Sequence, residues 1–352
     1  MGGNSLFSRA VQYNSALQFE ALPRPPVWIM RQAGRYLTEY NEVKAKHSFL
    51  EICRTPELAV QVSLQPIHYL NVDAAIIFSD ILIPVVALGI EVDFNPGPII
   101  KNPIRTGADL ASLKRIGEVT TQTAFLPKAI SSLKNELRSL PGDPKALLGF
   151  AGAPWTMACY IIEQKPFKHF ERTQIVAREE RAQLHRLLEL LTSITEEYLL
   201  AQVEAGADAI QLFDTWAGNL SLADYREFAL PYTQRIFATL EKRGVPTILY
   251  INGCTPLLPG MIESGAKVLS LDWRIDLEQA LRLIPSEIAV QGNLDPTLLY
   301  GTPESVKQQT ELMLRAVNKR PGYIANLGHG ILQTTPRENA LSFVKTVQAG
   351  WP

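Results

Sequence analysis

The segment AQLHRLLELLTSITEEYLLAQVEAGADAIQLF, Ala182 to Phe213, carries two periodicities in a row. Leu184, Leu187, Leu188, Leu191, Ile194 and Tyr198 recur at helical spacing and form one apolar stripe. The pattern stops at Gly206, a natural helix-terminating residue. The run Ala209–Phe213 follows, almost continuously apolar, as in a strand buried on both faces of a parallel sheet. A helix feeding such a strand is half of a βαβ unit, and EAGADAIQLF is echoed farther on by ESGAKVLSLD.

Seven other runs of the same kind are spread along the chain: PVWIM from Pro26, AAIIF from Ala74, ALLGF from Ala146, TILYI from Thr247, VLSLD from Val268, IAVQG from Ile288 and YIANL from Tyr323. Thr55-Pro56, Thr255-Pro256, Asp295-Pro296, Thr302-Pro303 and Thr335-Pro336 read as N-caps followed by proline at the first helical position, and Thr335 with Glu338 as a capping box. Alternating strands and helices imply right-handed crossovers. Eight strands predict a single (β/α)8 TIM barrel of class α/β over residues 1–352, with residues 1–22 as an N-terminal extension, partly flexible. Extra length falls around Asn95 to Lys145.

The chain has 352 residues, 46% hydrophobic and 20% charged, with formal net charge −1. That balance suits a globular fold and argues against nucleic-acid or anionic-membrane binding, which need a basic surface. The longest apolar stretch, Asp73 to Ile90, is broken by Ser79-Asp80 and Pro84, short of the roughly 20 residues of a membrane-spanning helix. MGGNSLFSRAV has no long apolar region, so no secretory signal is expected, and Leu6 stands where a myristoylation pattern needs Ser or Thr. Cys53, Cys159 and Cys254 are scattered without metal-type spacing, so reduced thiols and a cytoplasmic location are expected. There is no GxGxxG, HExxH, CxxC or nucleophile elbow, and GMIESGAK lacks the Lys-Ser/Thr ending of a P-loop. Chemistry without metal or organic cofactor is expected.

In a barrel the chemistry stands at the C-terminal ends of the strands. There the sequence places Arg31 to Arg35, Ser79-Asp80, AGAPWT from Ala151, Asp214-Thr215, Asn252-Gly253, Asp272-Trp273, Asn293 to Asp295 and Gly328-His329-Gly330. Two arginines flanking Gly34 suit an anion, because a guanidinium meets a carboxylate bidentately; a surface position or a structural ion pair is the alternative. Position alone leaves Asp80 open between helix cap, salt bridge and catalysis. It leaves His329, between glycines, open between ligand contact and loop structure. Tyr160 starts a helix after GAPWT and by itself reads as packing. Asp214 and Asp272 read as orienting groups. His47, His68, His169 and His185 carry no signal.

PPVWIMRQAGRYLTEY (Pro25–Tyr40), FSDIL, GFAGAPWTMACYIIE, QGNLDP and YIANLGHGI together resemble the uroporphyrinogen decarboxylase family, from about Pro25 to the end of the chain. The resemblance implies a homodimeric barrel acting in tetrapyrrole biosynthesis. It would remove CO2 from the four acetate side chains of uroporphyrinogen III, giving coproporphyrinogen III without a cofactor. By motif position, Arg31 and Arg35 bind or act near substrate carboxylates, with Gln32, Ala33 and Gly34 in the loop between them. Asp80 faces the pyrrole N–H groups, and Tyr160, Thr215 and His329 contact polar side chains of the substrate. Asp80 and Arg35 are the catalytic candidates. A guanidinium is a poor acid at neutral pH, so a water-mediated proton route stands beside Arg35. The chain departs from the family in QKPFKHF after Glu163 in place of a glycine-rich segment, in Thr215 for serine and in Thr38 for proline. Two other readings compete: a cobalamin-linked methyltransferase of the same fold, which would need zinc ligands near Cys254, and a non-catalytic tetrapyrrole-binding protein.

Overall fold

The computed structural model describes residues 5–12, 22–94, 97–165 and 170–352. Strands β1 (Ala74–Ile76), β2 (Val92–Phe94), β3 (Pro98–Ile100), β4 (Ala146–Gly152), β5 (Ala209–Phe213), β6 (Thr247–Tyr250), β7 (Val268–Ser270), β8 (Ala289–Leu294) and β9 (Tyr323–Leu327) occur in that order. Seven make one parallel sheet, β1-β4-β5-β6-β7-β8-β9, with Ala74 opposite Ala146 at one edge and Val290 opposite Tyr323 at the other. Every residue of β4, β6, β7, β8 and β9 is buried, as the continuous apolar runs require of strands covered on both faces.

The sheet curls. Gln291 on β8 donates its side-chain amide to Gln211 on β5 (3.1 Å) and to Ser270 on β7 (2.9 Å), while its carbonyl accepts from Trp28 Nε1 (2.8 Å). β5 and β8 are not neighbours, so these groups meet only across an enclosed interior. Helix Arg181–Glu204 packs outside, its stripe from Leu184 to Tyr198 fully buried, and Gly206 at φ +114 ends it.

The run PVWIM differs from the other seven. It makes one parallel bridge, Val27 to Ala325. Ala325 N donates to Pro26 O (2.9 Å), and on the other side Asp73 N donates to Val27 O (2.8 Å). The segment therefore bonds both edges of the sheet without forming a regular ladder. Pro25 and Pro26 lack the donors a ladder needs, and three side chains stand in for it. The carboxylate of Asp73 accepts from Val27 N, Asn326 Oδ1 from Met30 N and Gln32 Oε1 from Ile29 N. Asp73 also takes both arms of Arg24, at 2.6 and 2.9 Å. Asp73→Ala is expected to lower stability by about 2 kcal/mol through these charge-assisted bonds. A urea midpoint unchanged from wild type would contradict that role.

Several local expectations change. Thr335 caps nothing: helix Arg337–Gln348 has Pro336 at its N-cap, and Thr335 is turned inward with an unpaired buried hydroxyl. Tyr160 does not start its helix; Pro154 does, leaving Tyr160 nearly two turns in. The segment Leu6–Val11 is a helix capped by Ser5 with Phe7, Ala10 and Val11 buried, whereas the rest of the arm, residues 1–4 and 13–21, lies outside the described residues. Asn95, His169 and most of QKPFKHF lie outside them as well. No helix among the described residues is long and apolar enough to cross a membrane.

Candidate active site

A cavity of about 720 Å³ opens at the C-terminal ends of the strands. Its walls come from the Arg31–Arg35 loop, Ser79-Asp80 after β1, Phe150 on β4, Tyr160, Phe213 and Thr215 at the end of β5, Tyr250 on β6 and His329 after β9. A hairpin of β2 and β3 adds a further wall through Asp93, Phe94 and Pro98, with Phe94 packed on Phe49 at 4.7 Å between ring centres.

The loop is built to aim its arginines. Gln32 N donates to Ile29 O (2.9 Å), closing a turn, and Arg31 takes a left-handed conformation at φ +62. Few non-glycine residues adopt that conformation, and it costs about 1 kcal/mol. Gln32 does not line the cavity. It is fully buried, bonded to Ile29 N and to Ala74 O (3.0 Å), and its backbone carbonyl accepts from Tyr36 Oη (2.7 Å). Its side chain therefore pins the loop to β1. Ala33 and Gly34 line the cavity, and a Cβ on Gly34 would stand 3.2 Å from Arg31 O, tight for any side chain. Arg35 reaches the exposed mouth, where Nη1 donates to Gln333 Oε1 (2.6 Å). Among the described residues neither Arg31 nor Arg35 forms an ion pair, while Arg24, Arg115, Arg178 and Arg235 each hold a carboxylate.

Asp80 lies close enough to Arg31 to feel its charge. Burial pushes the Asp80 carboxyl up to about 6, against the opposing pull of the Leu82 N–H (2.9 Å) and of Arg31. It is still mostly ionised at neutral pH. Oδ1 holds the Leu82 bond, and among the described residues no donor holds Oδ2.

His329 is pushed down to about 4, first by burial and then by Arg31 and Arg274. It is neutral at pH 7. Nδ1 accepts from Gly330 N (2.8 Å), which assigns the proton to Nε2 and makes the ring a donor there. The flanking glycines serve the protein's own packing: a Cβ on Gly328 would strike the backbone of Trp273, and one on Gly330 the side chain of Arg31. The imidazole stacks near Trp273 and Tyr250, at 5.9 and 6.0 Å.

Tyr160 is half-buried, with its phenol pushed up to about 12 by burial and by Asp80, so it stays protonated. Thr215 follows Asp214, which is fully buried and pushed up to about 7 by burial. Asp214 Oδ1 accepts from Thr156 Oγ1 (2.7 Å), which in turn accepts from Trp216 N (3.1 Å), so the pair fixes the turn that presents Thr215. Asp272 likewise orients loops, accepting from Arg274 N (3.0 Å) and Gly253 N. Asn293 donates to Asp272 O and Ile275 O.

Tyr40, Lys44 and His47 also line the cavity, with little in the sequence to mark them. Tyr40 and Lys44 lie four residues apart on helix Thr38–Lys44, one face of which could have been read toward the site. Cys254, on which a zinc-linked methyl transfer would rest, is buried against Asp272, its thiol pushed up to about 12 chiefly by burial. Among the described residues no group of three or more His, Cys, Asp or Glu could hold a metal ion.

Residues 10–350 match the family described as Uroporphyrinogen decarboxylase (URO-D). The uroporphyrinogen decarboxylase of Geobacter sp. (strain M21) is 45% identical over 322 residues, covering 92% of this chain and 93% of the relative. That of Pelobacter propionicus is 46% identical over 325 residues, covering 92% and 94%. Among solved structures, a methyltransferase from Methanosarcina mazei superposes with a TM-score of 0.80 at 22% identity, covering 98% of each chain. At that identity the likeness shows a shared α/β architecture and nothing of the chemistry.

Proposed function

The chain belongs to the uroporphyrinogen decarboxylase family, and from that membership we propose that this cavity removes the four acetate carboxyls of uroporphyrinogen III as CO2, giving coproporphyrinogen III. The observation that carries the reading is Asp80: an ionised carboxylate just after β1, facing the cavity, where among the described residues no donor holds its Oδ2 and no carboxylate pairs with Arg31 or Arg35.

Each round converts R–CH2–COO⁻ and one proton into R–CH3 and CO2. The carbon–carbon bond pair needs an electron sink, and a pyrrole protonated on carbon is one, so the substrate does work that other enzymes give to a cofactor. Asp80 Oδ2 accepts the pyrrole N–H groups and stabilises the cationic ring. Arg31 and Arg35 hold acetate carboxylates. A guanidinium keeps its proton too firmly to serve as the acid at neutral pH, so the proton reaches the pyrrole through water at this site. Neutral His329, Tyr160 and Thr215 supply hydrogen bonds to the substrate's polar arms. Gln32 acts by holding the loop in register with β1.

The same reading makes Val27 the eighth stave of a single (β/α)8 domain, supported by its bonds to both sheet edges. By family resemblance the protein acts as a homodimer in the cytoplasm.

Anaerobic incubation of the protein with uroporphyrinogen III, with products separated by carboxyl number, should yield species of seven down to four carboxyls. Recovery of the eight-carboxyl substrate alone would defeat the proposal. The rate should also depend on pH with a definite sign. Asp80 acts as the anion, so kcat/KM should fall as pH drops through about 6. His329 stays neutral down to about 4 and should add no inflection above that. A flat profile between pH 7 and pH 5 would remove Asp80 as the ionised group.

A further inference from the structure

After Asp80 the chain leaves the sheet and makes the hairpin of β2 and β3, which lines the cavity through Asp93, Phe94, Gly97 and Pro98. The hairpin is braced as one piece. Val92 pairs with Ile100 and Phe94 with Pro98. Lys101 N donates to Glu91 O (2.8 Å). Asn102 Oδ1 accepts from Glu91 N (2.8 Å), and its Nδ2 donates to Gly89 O (2.7 Å).

The chain that follows β3 rests on the end of helix Pro154–Glu163, the helix that carries Tyr160. The last carbonyls of a helix have no partner within it, and here this chain supplies them. Ile104 N donates to Ile161 O (3.1 Å) and Arg105 Nη1 to Ile162 O (3.3 Å). Gln164, the next residue after the helix, takes Ile100 N on its backbone carbonyl (2.8 Å) and Arg105 Nη2 on its Oε1 (2.7 Å). A guanidinium at this end also meets the negative pole of the helix. Gln164 stands at φ +78, a conformation that favours glycine. A glycine would adopt it more readily but could not hold Arg105. The side chain present there serves the clasp and not the local backbone.

Resting on the decarboxylase reading, we propose that Arg105 and Gln164 are positioning residues, whose clasp fixes the hairpin wall against the helix of Tyr160 and so sets the width of the cavity around the macrocycle. Neither residue lines the cavity, so the effect passes through others. Gln164 N closes the last helical turn on Tyr160 O (2.9 Å), which delivers any shift of the clasp to Tyr160. Ile100, one residue from the Gln164 side chain's partner strand and paired with Val92, delivers the same shift to Phe94 and Pro98. The two sides of the cavity are thereby held at one spacing.

The test measures uroporphyrinogen III kinetics, thermal melting and hydrogen exchange of the peptide spanning residues 98–105 in the wild type, Arg105→Gln, Gln164→Gly and Gln164→Glu. Arg105→Gln should raise KM on the order of threefold to fivefold, as for loss of a charge-assisted bond at an exposed site, with a smaller change in kcat and faster exchange of the peptide. Gln164→Gly should raise KM alike while its melting temperature stays level or rises, because glycine relaxes the backbone as the clasp is lost. Gln164→Glu keeps an acceptor for Arg105 and should keep the wild-type KM and exchange. Tyr160→Phe should raise KM by a smaller factor in the Arg105→Gln background than alone, because Tyr160 is then no longer held. Wild-type KM and exchange in Arg105→Gln would overturn the clasp, with the decarboxylase reading intact. So would independent effects of Tyr160→Phe and Arg105→Gln, or a KM that rises only where the melting temperature falls. Failure of the wild type to convert uroporphyrinogen would overturn the decarboxylase reading and the positioning role with it.

Discussion

Asp80→Asn is expected to lose turnover on the order of a thousandfold and to keep its fold. The substitution removes one negative charge and little volume. At an effective dielectric near 20, opposite charges about 4 Å apart attract by about 4 kcal/mol. A term of that size acting on the cationic transition state corresponds to roughly 10³ in rate. The fold should survive because the ionised carboxylate does not stabilise it. Burial holds the Asp80 carboxyl at about 6 in place of 3.8, which penalises the charged form. A raised carboxyl favours the fold below its unfolded value and loses that advantage as pH rises through about 6. Removing the charge at pH 7 should leave stability unchanged or raise it, by at most about 3 kcal/mol. Thermal melting and turnover measured on one preparation separate the two effects. Near-normal turnover would remove Asp80 from the mechanism.

Arg31→Gln should lower kcat/KM on the order of a hundredfold, from loss of a charge-assisted contact in a partly desolvated site. It should also move the acid limb of the pH profile upward. Arg31 lowers Asp80, so without it the carboxyl rises farther above its value of about 6 and more of it is protonated at neutral pH. The same guanidinium suppresses His329, whose ring should titrate above about 4 in the variant. A reduced rate with an unmoved acid limb would mean that Arg31 serves substrate carboxylates alone. The position is demanding in other ways too. The left-handed backbone at Arg31 and the missing Cβ at Gly330 together let this side chain lie along the loop after β9.

The buried strands were legible because they are covered on both faces and their apolar runs are unbroken. Seven of the eight runs pair in a regular ladder. PVWIM escaped that rule because its partners are the side chains of Asp73, Asn326 and Gln32, contacts that local sequence does not show. The strand-end reading put Arg31, Arg35, Asp80, Thr215 and His329 on one side of the sheet, the family resemblance added Tyr160, and all six line a single cavity. It could not tell that Gln32, inside the same RQAGR motif, turns toward Ala74, because an amide reads alike whichever way it points. Nor could it find Lys44 and His47. They lie in a polar helix and the turn after it, and only the folding of that segment over the mouth brings them to the site. Thr335 shows the converse failure, a local capping pattern overridden by burial of its hydroxyl.

The central claim is that an ionised Asp80 on the cavity floor drives decarboxylation of a tetrapyrrole held by arginines. A single-turnover experiment with protein in excess over uroporphyrinogen III, run side by side for wild type and Asp80→Asn, tests it directly. The prediction is four CO2 released per macrocycle by the wild type, and the same first product formed on the order of a thousandfold more slowly by the variant. Equal rates in the two proteins, or no CO2 from the wild type, would contradict it.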